Sequence, residues 1–275
     1  MKVNIIVFSQ TGNTKKVAEV MAKEMQQHEN VDVSLIPFKE LSMDDFQNAD
    51  LIGVGSPCFE SQAPTPVRQF LAKISSMKGR DVFVFSTSGG APGRVLRDLA
   101  KPLEKKGANV LGAFICKGTN AHPLPCINGQ SPGRPNQSDL EKAKSFAGSL
   151  IEDIHNGALI TTKEARNDLL KPSLNLYSVA GLLLKEPLLR LLLPKPKAQA
   201  GRCNQCQWCV HECPTQSITV RSEPEIKSTC IRCYRCMNGC PQQAYSVKWG
   251  ISNFVVWSLY NETFARTFGN LKDNE

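Results

Sequence analysis

Lys2-Val3-Asn4-Ile5-Ile6-Val7-Phe8-Ser9-Gln10-Thr11-Gly12-Asn13-Thr14 passes from a short apolar run, through a loop of hydroxyl side chains and one glycine, into a stretch of helical period. Short apolar runs alternating with amphipathic stretches specify a parallel sheet wrapped by helices. The same alternation continues from this stretch for about 150 residues. Strands are expected at Val3–Phe8, Val31–Ile36, Leu51–Gly55, Val82–Ser86 and Val110–Cys116, and helices at Thr14–His28, Pro64–Ser76, Gly93–Lys106 and Gln137–His155. The expected architecture is an α/β doubly wound sheet of five strands.

The loop within that opening stretch is suited to a phosphate. Ser9, Thr11 and Thr14 supply hydroxyl donors, Gly12 lets the backbone approach closely, and a helix N-terminus offers unpaired N–H groups and the positive end of its dipole. It lacks the lysine of a G-x-x-x-x-G-K sequence, which excludes a nucleoside-triphosphate P-loop. Its form, S/T-x-T-G-x-T, resembles the flavodoxins. That resemblance implies strand order 2-1-3-4-5 and FMN beside the first and third strands. By resemblance the FMN contacts are Ser9, Gln10, Thr11, Gly12, Asn13 and Thr14, then Ser56, Pro57, Cys58 and Phe59 after the third strand. Thr87, Ser88, Gly89 and Gly90 follow the fourth, and Phe59 is the stacking candidate. The loop after the fourth strand has only small residues and proline, where many flavodoxins place a second aromatic, so one flavin face is expected to be open.

Eight of the eleven cysteines lie between Cys203 and Cys240. They form two runs of C-x2-C-x2-C-x3-C-P: Cys203, Cys206, Cys209, Cys213 and Pro214, then Cys230, Cys233, Cys236, Cys240 and Pro241, repeating at a spacing of 27 residues. Three crowded thiolates grip three corners of an iron-sulfur cube, and the fourth, carried away by its proline, ligates the other repeat's cube. The expected ligand sets are Cys203, Cys206, Cys209 with Cys240, and Cys230, Cys233, Cys236 with Cys213. Structural zinc is the alternative, but zinc sites use two separated cysteine pairs rather than a doubled triplet. Over about fifty residues the segment resembles the bacterial two-cluster ferredoxins, which implies a compact α+β module with two [4Fe-4S] clusters. Ile218 and Val220 are then expected to line one cluster, and Tyr245 and Val247 the other.

The whole therefore resembles fused flavodoxin and ferredoxin proteins, sometimes called ferrodoxins. The expected domains are 1–156, FMN-binding; 157–200, a helical connection; 201–250, the cluster module; and 251–275, a helical tail that covers one of the domains. Residues 118–136, rich in proline and glycine, form a loop that is either a lid or a tolerated insertion. The leucine-rich stretch from Leu174 to Leu193 packs on a domain or docks peripherally on a membrane or partner. It is interrupted by Lys185, Glu186, Pro187 and Arg190, which argues against a transmembrane helix.

The net charge of +8 raises nucleic acid as a partner. Two clusters and a flavin phosphate, each about −2, would bring a loaded chain near +2, so no nucleic-acid partner is expected. No export signal is read, and a cytoplasmic location is expected. The function implied is electron transfer between clusters and FMN, serving redox partner proteins or a small electron acceptor. The alternatives are an FMN-dependent reductase of a small acceptor and a flavin-free wiring adaptor. No G-x-G-x-x-G follows a strand, so direct NAD(P)H oxidation is not supported, and no catalytic residue is assigned.

Overall fold

A computed structural model describes residues 1–158, 170–171, 193–199 and 201–258. The leucine-rich stretch, but for Leu193, and the tail beyond 258 lie outside the described residues. The chain folds as two compact units. Of the described residues, the first holds Met1–Thr119, 131–158 and 170–171, and the second holds Asn120–Gln130, 193–199 and 201–258.

In the first unit five parallel strands, β1 (Lys2–Val7), β2 (Asp32–Pro37), β3 (Leu51–Pro57), β4 (Asp81–Ser88) and β5 (Asn109–Lys117), lie in the order β2-β1-β3-β4-β5. This is the expected order. Alternate residues of one strand face opposite ways. Val3, Ile5 and Val7 therefore join one core with α1 (Asn13–Met25) and α4 (Gln137–His155), while Ile6 and Phe8 join the other with α2 (Thr65–Lys73) and α3 (Val95–Lys105). Gly53 and Gly55 of β3 lie under the rings of Phe83 and Phe85, their register partners on β4. A Cβ on either glycine would come within 2.3 Å of a ring carbon.

Helix α3 starts two residues later than expected. Gly93 adopts φ +51°, and the Arg94 N–H donates to Ser61 O at 2.8 Å instead of entering a helix. Helix α2 ends at Lys73, where Ile74 turns extended and buries its side chain.

The second unit contains short strands β6 (Lys197–Ala198) and β9 (Tyr245–Ser246), paired with each other, and the hairpin β7 (Ile218–Val220) with β8 (Pro224–Ile226). Short helices α5 (Trp208–His211) and α6 (Arg235–Gly239) follow the first cysteines of each run. The 27-residue repeat is visible in the backbone. Gln205, Gln207 and Gln216 have positive φ, and so do Arg232, Tyr234 and Gln243, their counterparts.

The excursion Asn120–Gln130 is part of this unit. His122 lies against Tyr234 and Trp249, with ring centroids at 4.8 and 5.7 Å, Asn238 Nδ2 donates to Ala121 O at 2.7 Å, and the Cys126 N–H donates to Asn253 Oδ1 at 3.2 Å. Residues 250–258 are helical, but Ile251, Phe254 and Trp257 are exposed, so this face of the tail does not do the covering expected of it. Among the described residues no helix is long and apolar enough to cross a membrane.

Candidate cofactor sites

Parallel strands deliver their C-terminal loops to one sheet edge. Between β1 and α1 the chain turns at Gly12, φ +96°, and α1 has neither a side-chain cap nor an acidic residue in its first turn. Helix α4 is the contrast. The Asn136 side chain accepts from the Asp139 N–H, and Asp139 Oδ2 accepts from the Asn136 N–H, both at 3.0 Å, forming a complete capping box. With Gly12 at its N-cap, α1 has no capping side chain of the kind α4 has, and the positive end of its dipole suits an anion. Thr11 and Gly12 are exposed there, Ser9, Gln10 and Asn13 are half-buried, and Ser9 Oγ accepts from the Lys15 N–H at 3.3 Å.

Thr14 lies deeper than the other loop hydroxyls. It is 1% exposed, and its hydroxyl is 2.8 Å from that of Thr87, so it ties α1 to the end of β4.

The loops after β3 and β4 are joined. The Cys58 N–H donates to Thr87 O at 2.9 Å, and the Cys58 thiol reaches Ala91 O and Pro92 O at 3.4 and 3.5 Å. Burial, helped by the Glu60 charge, pushes this thiol up to about 12, so it remains a neutral donor. Ser56 is buried and spends its hydroxyl on Pro57 O. Phe59 ends β3's loop in a tight turn, with mutual N–H to O bonds to Gln62 at 2.9 Å, and its ring meets Phe8 edge-on at 6.4 Å. Ser88 Oγ accepts from the Gly90 N–H at 3.3 Å, and Gly89 and Gly90 are half-buried.

Sequence reading missed two further ties. Asn13 Nδ2 donates to Thr119 O at 3.0 Å, and Ser131 Oγ donates to Gly89 O at 3.0 Å. Both span distant parts of the chain and leave no local pattern.

The Flavodoxin domain family matches residues 4–125. An uncharacterized protein of Methanocaldococcus jannaschii is 33% identical over 144 residues, which take in 51% of this chain and 91% of that protein. The N-terminal half of the chain is a flavodoxin-like domain. A flavodoxin of Clostridium beijerinckii is 25% identical over 146 residues, 52% of this chain and 97% of its own length. An archaeal flavodoxin structure covers 56% of this chain and 99% of its own, at 23% identity and a TM-score of 0.46. These matches take in about half of the chain.

Beyond the flavodoxin domain, the cysteine runs interleave. Cys203, Cys206, Cys209 and Cys240 line one cavity with about 310 Å³ free of protein atoms, part of it open to solvent. Cys230, Cys233 and Cys236 each lie close enough to Cys213 for their charges to repel. Burial first, then this mutual repulsion, pushes their thiols up, Cys233 to about 12. Burial likewise raises Cys209.

Each quartet receives backbone N–H bonds at sulfur, two of them at matching positions of the repeat. Gln205 donates to Cys203 and Arg232 to Cys230, both at 3.4 Å; Ser217 donates to Cys213 at 3.2 Å and Ala244 to Cys240 at 3.4 Å. The positive φ of Gln205 and Arg232 turns these N–H groups inward.

Val220 and Tyr245 line the same quartet, which corrects the expectation that they line different ones. The fourth cysteine crosses to the other repeat's site, and the residue five positions later travels with it.

Two polar groups are orphaned beside the quartets. Arg232 buries Nε and Nη1 without a partner among the described residues, next to Cys230, and the buried Tyr245 hydroxyl is likewise unpaired. Their repeat counterparts are Gln205 and Ile218, so aligning the two repeats is the signal that finds them. Among the described residues no group of three or more His, Cys, Asp or Glu side chains converges on a single-ion site.

Proposed function

We propose that the chain is an electron-transfer flavoprotein, with FMN at the three loops of its flavodoxin domain and two [4Fe-4S] clusters on the two cysteine quartets of a ferredoxin-like module over 201–250. The observation that carries the cluster reading is the crossing of Cys240 into the cavity of Cys203, Cys206 and Cys209. Ligand exchange between repeats belongs to two-cluster ferredoxins. One tetrahedral zinc would need its sulfurs about 3.8 Å apart, a convergence not found among the described residues.

The residues suit an anionic group. Arg232 Nε and Nη1 are buried without a hydrogen-bond partner among the described residues, and four backbone N–H groups already point at sulfur. Because burial pushes the Cys209, Cys230, Cys233 and Cys236 thiols up, loading would release protons. The start of α1, with a glycine at its N-cap, suits the flavin phosphate, and Ser9, Thr11 and the Gly12 backbone would hold it.

Clusters carry one electron and FMN one or two, so the pair bridges the two regimes. A reductase of a small acceptor is the second reading, favoured by the loop from Thr87 to Gly93, which offers no aromatic to cover a flavin face.

Protein prepared without oxygen is expected to contain about eight irons with matching sulfide, and to release FMN on denaturation. Cys240→Ala should damage the cluster of the first run although Cys240 belongs to the second. Stoichiometric zinc without sulfide would reject the cluster reading, and protein that binds no flavin after reconstitution would leave the adaptor role.

A further inference from the structure

The two repeats share two backbone N–H to sulfur bonds at matching positions, at 3.2 to 3.4 Å, and Cys233 receives one more from Arg235. Further differences lie in the side chains. The sharpest lies five residues past the fourth cysteine, where the first repeat has Ile218 and the second Tyr245. Both are buried, at 4% and 5% exposure. Isoleucine has no polar atom to satisfy, whereas a buried hydroxyl without a partner costs about 1–3 kcal/mol.

The Tyr245 hydroxyl has no hydrogen-bond partner among the described residues, sulfur included. It lies in the cavity that Tyr245 lines with Cys203, Cys206, Cys209 and Cys240, where Cys209 is the cysteine whose charge it feels most. A tyrosine held this way, with its hydroxyl buried and unpaired in a cavity of four cysteines, is explained by an acceptor that forms there when the cysteines are loaded.

We propose that Tyr245 is a positioning residue that sets the reduction potential of the cluster on Cys203, Cys206, Cys209 and Cys240, by donating its O–H to the Cys209 sulfur. This rests on the cluster reading above. Reduction adds one negative charge to a cluster, and a donor at sulfur stabilises the more negative state, so the hydroxyl raises that cluster's potential. The proton stays on Tyr245 throughout.

The other quartet has different side-chain help. Arg232 and Lys195 lie near Cys230, and Thr215 Oγ1 is 3.7 Å from the Cys213 sulfur but 2.7 Å from Ser217 Oγ, which engages it. The proposal therefore concerns the shift due to Tyr245, not which cluster is higher overall.

The test is a reductive titration of the full-length holoprotein with a low-potential chemical reductant, following both clusters by electron paramagnetic resonance. In Tyr245→Phe, with iron and sulfide unchanged, one cluster should become harder to reduce. Its reduced-to-oxidised ratio at fixed potential should fall about threefold to tenfold, tenfold being 59 mV for one electron, while the other cluster changes less than twofold. Tyr245→Ile, which makes the repeats alike here, should act in the same direction. Ile218→Tyr should instead ease reduction of the cluster that Tyr245→Phe leaves alone, and decides the matter if the Tyr245 variants fail to assemble.

Unchanged potentials in variants with full iron content, or equal shifts of both clusters, would overturn the proposal. Wild-type protein lacking iron and sulfide would instead reject the cluster reading on which it rests.

Discussion

Cys58 illustrates how one side chain can hold two loops together. Its thiol bridges the loop after β3 to the backbone of Ala91 and Pro92 after β4, and burial pushes its ionisation up to about 12. In the unfolded chain the same thiol ionises near about 8.5. Its contribution to stability is thus full below that pH and is lost as pH rises toward 12, because the unfolded state sheds the proton first. Denaturant titrations above pH 8.5 should show Cys58→Ala losing stability less steeply than wild type, by up to one proton in the slope, and equal slopes would contradict this. Such a residue was only half legible. Resemblance put Cys58 in the flavin loops, but its bond to a carbonyl 33 residues away depends on the fold. The eight cysteines proposed as cluster ligands were legible as two matching runs because spacing is a local property of the chain. Thr14 was read as a phosphate donor, since nothing local reveals Thr87 behind it.

At the scale of elements, strand existence and order could be read because apolar runs and helical periods recur over whole segments, whereas element ends depend on distant contacts. Arg94 is drawn out of α3 by Ser61, and no pattern near Gly93 announces it. The glycines of β3 belong here too. In the sequence Gly53 and Gly55 are merely weak strand formers, but in the sheet they make room for Phe83 and Phe85. Gly55→Ala would bring a Cβ to 2.1 Å from Phe85 Cζ, and that ring is fully buried. The expected cost is about 1–3 kcal/mol, seen as a lower denaturant midpoint with an unchanged slope. A midpoint equal to wild type would mean that the ring moves freely, contrary to its packing.

At the scale of the whole molecule, the proposed electron transfer from clusters to FMN makes a kinetic prediction. After rapid mixing with a low-potential donor, cluster reduction should be followed by flavin reduction at a rate independent of protein concentration. A rate that falls in proportion to dilution would mean transfer between molecules and would favour the adaptor role. The domain plan read from sequence put residues 118–136 in one loop of the flavodoxin domain, and here pattern failed. Asn238 and Ala121 are 117 positions apart, and their bond leaves no trace in composition or period. The excursion Asn120–Gln130 groups with the cysteine-bearing unit, so eleven residues of that unit are encoded inside the flavodoxin-domain segment. A cassette taken from residue 201 onward therefore leaves part of itself behind. It would expose the faces of Tyr234 and Trp249 that His122 covers, and deprive Asn253 and Asn238 of their partners. Shuffling the two halves as interchangeable parts, by cloning or by recombination, carries a penalty that a cut inside a plain linker would not, and this favours their inheritance as a single piece.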